Sequence, residues 1–570
     1  MRFVSSSRSA AVAVRRQKHR RRLKALLMAG CLIGQPAFSE SFNNPVIPGY
    51  APDPSIVRVG DDYYLTNSTF EYFPGLPIYH SRDLVNWELI GHALHRESQI
   101  DLDTADSSGG VHAPTIRYHD GTFYVVVTNI VHNKPVNLIV TAEDPRGPWS
   151  EPYILDDAPG IDPSLLFDDD GRVWYTGNWH PPDPEFEGQA EIWLQELDLE
   201  TMQLTGDKHY LWRGCCQGAH AEGPHLYKKD GYYYLMLAEG GTGFEHAVAI
   251  AISESPTGPY LNNPRNPILT HRHLSYDHPI TGVGHADLTD TPDGRWFAVT
   301  LGWRLIDSAH GILGRETFLA PVTWETEPYE WKAERYTFPV VAPATGRIEL
   351  TNELPMEDTR QALDTRFIDE FDDGDLGGEW NMRRTHDEQF HSLDANRGFL
   401  RLNAGPGFIG PQSRYSFLGI RQRDFQYMAE TRMQFDTASD DEAGLVLMQN
   451  DRSVVAFTVR DGVLRLRRLL NGQWSDLSSA TVTGQTIDLQ VCADYLSAEF
   501  LYRLPGGDWK SLVAGVDLTS LSPAMIDGFN YTGVYIGLYA TGNGEAGAYA
   551  DFDYLRYEPT AANRNDWYFR

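Results

Sequence analysis

Three acidic residues stand at related places in a repeated pattern, and their type points to proton transfer. Asp53 opens Asp-Pro-Ser-Ile-Val, Asp162 opens Asp-Pro-Ser-Leu-Leu, and Glu222 opens Glu-Gly-Pro-His-Leu. Ala113 in Ala-Pro-Thr-Ile and His285 in His-Ala-Asp-Leu lead two further copies. Each copy runs into a turn and then an aromatic strand, as in Asp120-Gly-Thr-Phe-Tyr-Val125 or Asp230-Gly-Tyr-Tyr-Tyr-Leu235. Cleaving a glycosidic bond takes one carboxyl that keeps its proton and one carboxylate that activates water or attacks carbon. A third charge nearby raises the pKa of the acid by repulsion. Asp and Pro also form turns, so each motif alone reads as a turn. Their joint recurrence is what favours a site.

The fold has to bring these residues together. The five lead residues are separated by 60, 49, 60 and 63 positions. A period of that size, built from hairpins, is the signature of a β-propeller, whose inner strands border one axis. Five copies imply five blades within residues 40–341. Gly60-Asp61-Asp62, Asp120-Gly121, Asp170-Gly171, Asp230-Gly231 and Asp293-Gly294 are hairpin signals. The strand-like segment 313–324 is expected to complete the ring. Residues 342–366, with Pro343, Gly346 and Pro355, read as an interdomain linker. Short alternating strands resume over 367–558, among them 427–435, 444–448 and 454–459, and suggest a β-sandwich. Residues 559–570 form a tail.

Residues 1–39 differ in kind. Nine Lys/Arg and no acid surround the apolar stretch Ala25-Leu-Leu-Met-Ala-Gly-Cys-Leu-Ile-Gly34, and Ala37-Phe-Ser39 supplies small residues for cleavage. This pattern is a signal peptide and implies a secreted or periplasmic protein. Cys31 would serve a lipid anchor instead. Without those nine, 39 basic residues face 78 acidic ones. Such a surface repels nucleic acid and anionic lipid and suits a neutral partner such as a sugar. Cys215, Cys216 and Cys492 are too few for a disulfide framework. Cys215-Cys216 reads either as a vicinal disulfide or as two reduced thiols, and oligomeric state, including a homo-oligomer, is open.

Several segments resemble glycoside hydrolase family 43. Asn44-Pro-Val-Ile-Pro-Gly-Tyr-Ala-Pro-Asp-Pro-Ser-Ile56 is similar to the opening strand of that family, Gly160-Ile-Asp-Pro-Ser164 to its second acidic segment, and Ala221-Glu-Gly-Pro-His-Leu-Tyr227 to its third. The resemblance implies Asp53 as general base, Asp162 as the residue that tunes and orients the acid, and Glu222 as general acid. His278-Pro-Ile-Thr-Gly-Val-Gly-His-Ala-Asp-Leu288 and Gly314-Arg-Glu-Thr317 resemble two more family segments. They imply His285 on the axis beside water or a largely water-coordinated Ca²⁺, and Arg315 on substrate hydroxyls. Tyr72 and Phe73, in Phe70-Glu-Tyr-Phe-Pro74, are candidates for a platform under the terminal sugar. His112 stands where many relatives have Trp, and Trp303 has no evident place. Residues 367–570 resemble the sandwich appended to xylosidase and arabinofuranosidase members.

The implied chain is all-β, a five-bladed β-propeller followed by a concanavalin-like β-sandwich. The implied activity is inverting, exo-acting hydrolysis of terminal β-1,4-xylosyl or α-L-arabinofuranosyl residues of hemicellulose oligosaccharides. Inversion implies base and acid carboxyls roughly 6.5–9.5 Å apart. The alternatives are an arabinan- or xyloglucan-directed arabinofuranosidase, a retaining fructan hydrolase, and a non-catalytic carbohydrate-binding protein.

Overall fold

The computed structural model describes residues 41–561 apart from 216–217, 326–328, 332–333, 357–360, 362–363, 386–389, 411–412, 414 and 543–547. The leader, Cys216 and the tail beyond 561 therefore lie outside the described residues.

Each copy of the repeat folds into its own antiparallel sheet. The first sheet holds Ser55–Val59, Asp62–Thr66, Gly75–Ser81 and Glu88–Leu94, and the second Gly110–His119, Thr122–Val131, Lys134–Ala142 and Tyr153–Leu155. The third holds Ser164–Phe167, Val173–Trp179, Glu191–Asp198 and Gln203–Trp212. In the fourth, Glu222–Lys229, Tyr232–Glu239 and Ala247–Ser253 are followed by two short edge strands. Ile280–Asp290, Trp296–Arg304, Arg315–Trp324 and Pro339–Val341 make the fifth. Hairpin turns carry their expected chemistry: Asp120 and Gly121 both have left-handed backbone, φ 47° and 84°, as a twisted two-residue connection requires.

Alternation explains why these strands read as nearly unbroken apolar runs. Side chains on successive residues point to opposite faces, and both faces of each sheet are covered. Val125 and Val127 pack with Leu76 and Ile78 of the first sheet, whereas Tyr124 and Val126 pack with Leu165 and Tyr175 of the third. Leu194 meets Leu235, and Met236 meets Phe318, in the next two cores. The last core joins Val299 and Leu319 of the fifth sheet to Ile56 and Leu65 of the first. The first strands touch in the same cyclic order, so the sheets close a ring. Each large apolar side chain buried this way contributes about 1.5–3 kcal/mol.

No strand is exchanged between the first and fifth sheets. The segment 315–324 is the third strand of the fifth sheet rather than a closing strand, and Pro339–Val341 is the fourth. Closure comes from the N-terminal segment laid along Arg315–Trp324. Val46 N–H donates to Thr317 O at 3.0 Å, Thr317 N–H to Ile47 O at 3.2 Å, and Ala51 N–H to Arg315 O at 2.9 Å. The stretch expected to be a linker takes part too. Its Thr351–Glu353 pairs antiparallel with Ser41–Asn43, because backbone pairing needs no apolar pattern.

The second half is a two-sheet sandwich. One sheet centres on Tyr549–Pro559, Gln426–Gln434 and Thr486–Asp494, and the other on Tyr535–Thr541, Glu442–Asn450 and Ser453–Arg460. Leu445, Leu447 and Phe457 face Leu489, Phe500 and Phe552 across the core. The opposite face of the second sheet is not solvated. Val446, Met448, Tyr535 and Tyr539 pack on Tyr50, Phe70 and Tyr72 of the propeller.

A buried polar layer fills the ring axis, built from residues two to five places after the lead positions. Arg117 donates to Asp287 Oδ2 at 2.9 Å and to His225 Nδ1 at 2.9 Å. Ser55 donates to Asp287 Oδ2 at 2.8 Å, Tyr227 to Oδ1 at 2.7 Å, and Ser164 lies 3.2 Å from His225 Nδ1. Burial pushes the Asp287 carboxyl up, but Arg117 and these donors hold it well below the usual range. Truncating one partner of a buried pair leaves the other charge uncompensated. Asp287→Ala is therefore expected to cost about 3–5 kcal/mol in denaturant unfolding, much of it recovered when Arg117→Met is added. A loss below about 1 kcal/mol, the range of ordinary substitutions, would show that the axis is held by other means.

Candidate active site

Above that layer lies a cavity of about 80 Å³ at the heads of the first strands. Asp53, His112, Asp162, Glu222, His285 and Arg315 all line it, so six of the eight residues singled out in the sequence meet there. Backbone geometry explains how. Asp53, Ala113, Asp162 and His285 have left-handed φ of 51°, 30°, 57° and 46°, which turns each side chain from the strand toward the axis. Non-glycine residues held this way cost roughly 1–3 kcal/mol each and gather at functional sites.

In the fourth sheet the left-handed residue is Gly223, φ 56°, and not Glu222. The lead positions of the repeat are therefore Asp53, Ala113, Asp162, Gly223 and His285, and Glu222 stands one residue earlier, at the place of His112. Read from Gly223, the motif Gly-Pro-His-Leu matches Asp-Pro-Ser-Ile and Ala-Pro-Thr-Ile without a shift. The glycine is also a spatial need, since a Cβ there would lie 3.0 Å from Cε1 of the His285 ring.

Asp53 is 5% exposed and fully engaged. Arg315 donates to its Oδ1 at 3.0 Å and Ser68 to its Oδ2 at 2.6 Å, while Ala113 N–H donates to Ser68 Oγ at 2.7 Å. Burial raises the Asp53 pKa, but Arg315, His285 at 3.7 Å and the Ser68 hydroxyl together hold it below the ordinary value. Glu222 feels Arg315 only weakly by comparison. Burial first and the Asp53 charge second push it up to about 7. Burial, Glu222 and Asp53 push Asp162 up as well, so the Asp162–Glu222 pair shares one proton near neutrality. Gly223 N–H donates to Asp162 Oδ2 at 3.1 Å, which favours the anion there and leaves the proton on Glu222.

The other polar groups are neutral or cationic donors and acceptors suited to hydroxyls. His112 Nδ1 lies 2.9 Å from Gly110 O and His246 Nδ1 3.1 Å from Gly282 O. A carbonyl only accepts, so both rings carry hydrogen on Nδ1 and present a bare Nε2. Burial lowers their pKa values to about 4 and about 3, which keeps them neutral. His246 Nε2 and Arg315 Nε are buried with no partner among the described residues. Buried polar atoms are nearly always paired, and a sugar hydroxyl could complete both.

Tyr72 and Phe73 do not form the platform. Tyr72 is fully buried and stacks on Tyr535 of the sandwich at 4.0 Å, and Phe73 joins the core between the first two sheets. Tyr72–Phe73 pairs with Met382–Arg383, and the two rings go to opposite sides, Tyr72 to the domain junction and Phe73 to the propeller core. The aromatic wall is instead Phe70, itself left-handed at φ 48°, with Tyr531 at 5.5 Å and His112 at 4.6 Å. Sequence reasoning also missed Thr242 and His246, although the glycines of Gly240-Gly-Thr-Gly243 mark a loop at the axis end of a strand. Nothing local marks Tyr531, which comes from the second domain.

Tyr531 is held by a buried ionic cluster. Its N–H donates to Ser108 Oγ at 2.9 Å, and Ser108 N–H donates to Glu71 Oε2 at 2.9 Å. Arg383 bridges Glu71 at 3.3 Å and Asp451 at 3.1 Å, and Arg384 also donates to Asp451 at 3.1 Å.

Calcium takes six to eight oxygen ligands. The carboxylate beside His285 is Asp53, whose oxygens are committed to Arg315 and Ser68. Among the described residues no group of three His, Cys, Asp or Glu side chains could hold a metal. The side chains around His285 do not fit a protein-held calcium.

The family model described as glycosyl hydrolases family 43 matches residues 42–328, and that of a beta xylosidase C-terminal concanavalin A-like domain matches 368–558. A xylosidase/arabinosidase of Butyrivibrio fibrisolvens is 42% identical over 90% of this chain and 99% of its own. A non-reducing end α-L-arabinofuranosidase of Bacteroides ovatus is 38% identical over 94% of this chain and 97% of its own. The crystal structure of a xylan β-1,4-xylosidase from Bacillus halodurans superposes with a TM-score of 0.82 at 32% identity, over 91% of this chain and 100% of that one. With its paired carboxyls at the axis of the matched domain, this chain is a glycoside hydrolase and belongs to family 43.

Proposed function

We propose that the protein is an exo-acting, inverting pentosidase that removes terminal β-1,4-xylosyl or α-L-arabinofuranosyl units from hemicellulose oligosaccharides. The observation that carries this is the unequal surroundings of two carboxyls in one small cavity. Asp53 is bonded to Arg315 and Ser68, which holds it low, and Glu222 is buried beside the Asp53 charge, which pushes it up. Asp53 draws a proton from water as that water attacks the anomeric carbon. Glu222 gives its proton to the departing oxygen, with Asp162 charged beside it. Arg315 Nε and the bare Nε2 atoms of His112 and His246 are placed to hold sugar hydroxyls. A cavity of about 80 Å³ walled by Phe70 and Tyr531 suits a terminal ring better than the middle of a chain. The relatives' activities, xylosidase/arabinosidase and α-L-arabinofuranosidase, support both pentoses. The basic and apolar N-terminus supports export, with the protein secreted or periplasmic.

Hydrolysis of p-nitrophenyl β-D-xylopyranoside and α-L-arabinofuranoside, measured side by side, tests the assignment. Glu222→Gln is expected to lower the rate on the oligosaccharide by about 10²–10⁴, the usual worth of a general acid. A variant that kept its rate would remove Glu222 from the role. In a pH profile of kcat/KM, activity should be present below the Glu222 pKa and lost as pH rises through about 7. The acid limb should fall below the ordinary carboxylate range, because Asp53 is held low. An alkaline limb shifted beyond pH ~9, into the Lys and Tyr range, would contradict the protonated Glu222. Ser108→Ala, which frees the backbone of Tyr531, should raise KM several-fold with kcat nearly unchanged, and Tyr531→Ala should raise it by about tenfold. Equal losses in kcat would point to misfolding of the junction instead.

A further inference from the structure

The sheet alone does not fix Glu222. It pairs with Ala238, but the next pair along the two strands is His225 with Met236. Three steps on one strand face two on the other, a bulge that re-aims a side chain and interrupts the ladder. The chain just before Glu222 is held by another route. Glu239, the last residue of the partner strand Tyr232–Glu239, is 2% exposed and accepts two hydrogen bonds from one residue. Cys215 N–H donates to its Oε2 at 3.0 Å, and the Cys215 thiol donates to its Oε1 at 2.9 Å. Gly214 and Gly218 close around the same carboxyl. A Cβ on the first would lie 2.7 Å from Oε2, and one on the second 2.8 Å from Cδ.

From this anchor the chain leads to the acid. Gly218 N–H donates back to Cys215 O at 2.9 Å, and Gly240 N–H donates to Ala219 O at 2.7 Å. His220 N–H donates to Gly188 O at 2.7 Å, and Ala221 shares with Cys215 the apolar core between the third and fourth sheets. Glu222 follows. A buried carboxyl stripped of its donors is left unpaired among apolar side chains, which costs more than the hydrogen bonds themselves are worth. Glu239 therefore resists any shift of Cys215, and with it any shift of the turn that ends at Glu222. The sulfur is held in turn by its burial, since a thiol packs as a small apolar group while its hydrogen donates.

We infer that Glu239, acting through the thiol and backbone of Cys215, is a positioning residue that sets Glu222 within reach of the scissile oxygen. The inference rests on the activity proposed above and deepens it. Neither Glu239 nor Cys215 lines the catalytic cavity, so neither touches the sugar. Their effect is confined to the step in which Glu222 gives its proton to the departing oxygen.

The test varies the leaving group. A sugar hydroxyl departs only as the acid protonates it, whereas 2,4-dinitrophenolate departs as a stable anion. Glu239→Gln should lower kcat for xylobiose by about 10–10²-fold, the scale of a displaced catalytic group, with KM nearly unchanged. The rate on 2,4-dinitrophenyl β-D-xylopyranoside should stay close to that of the wild type. Where the protein takes only arabinose, the arabinofuranosyl counterparts serve. Cys215→Ala should repeat this split, and Cys215→Ser, whose hydroxyl still donates, should restore most of the rate on xylobiose. Gly218→Ala, which presses on the carboxyl from the other side, should produce the split again. If Glu239→Gln fails to fold, the Cys215 and Gly218 variants decide. Equal losses on both substrates would make the contact a structural staple and overturn the inference, as would full activity of Cys215→Ala and Gly218→Ala on xylobiose. A wild-type protein that cleaves neither class of substrate would overturn the proposed activity, and the inference with it.

Discussion

Five strands that meet at one axis cannot all keep regular extended backbone, and the rest of the molecule depends on how that conflict is resolved. Each first strand has a left-handed residue within it or just before it, at Asp53, Ala113, Asp162, Gly223 and His285. The turn swings the side chain into the ring instead of leaving it on a sheet face. The cost falls on single residues, and the apolar cores between neighbouring sheets outweigh it. Only where the His285 ring presses on the backbone does the position become glycine, and the acidic residue of that sheet moves one place back to Glu222.

Two polar layers stacked on the axis divide the work. In the lower one, Asp287 is surrounded by Arg117, Tyr227, Ser55 and a neutral His225, so its charge is satisfied. In the upper one, three carboxyls share a single cation, Arg315, which bonds directly to Asp53. Buried carboxyls without cations cannot all ionise. The cation therefore decides which acid is charged first: it bonds directly to Asp53, and at Glu222 it does not offset the burial and the Asp53 charge that keep a proton there. The asymmetry of one arginine gives three similar side chains three different surroundings, as the proposed division into base, modulator and acid requires.

The second domain is part of the same site. Its inner sheet is buried on both faces, against its partner sheet and against Tyr50, Phe70 and Tyr72. Apolar packing alone would hold the two domains together, but it would tolerate a small slide. The cluster of Glu71, Arg383, Arg384 and Asp451 tolerates less, because shifting one member strands a buried charge. Tyr531 hangs from that cluster through Ser108, so the wall of the catalytic cavity is set where the domains lock.

What the sequence determined by itself was whatever repeats or alternates. The recurring Pro-containing motif and its turns gave away five sheets around an axis, and Asp53, Asp162 and Glu222 were legible because equivalent places in a ring converge. His285 led a copy of the same repeat, whereas Arg315 and His112 came from the resemblance to the family. Tertiary structure alone decided the rest. The one-residue offset of Glu222 depends on His285 filling the space above Gly223, a contact between residues far apart in the chain. Phe70 rather than Tyr72 or Phe73 faces the cavity because the sandwich stacks on Tyr72 and the core between the first two sheets takes Phe73. The Tyr531 wall of the cavity exists only where two domains meet. No local pattern of residues encodes such a meeting, since the strands on each side are shaped for their own cores first.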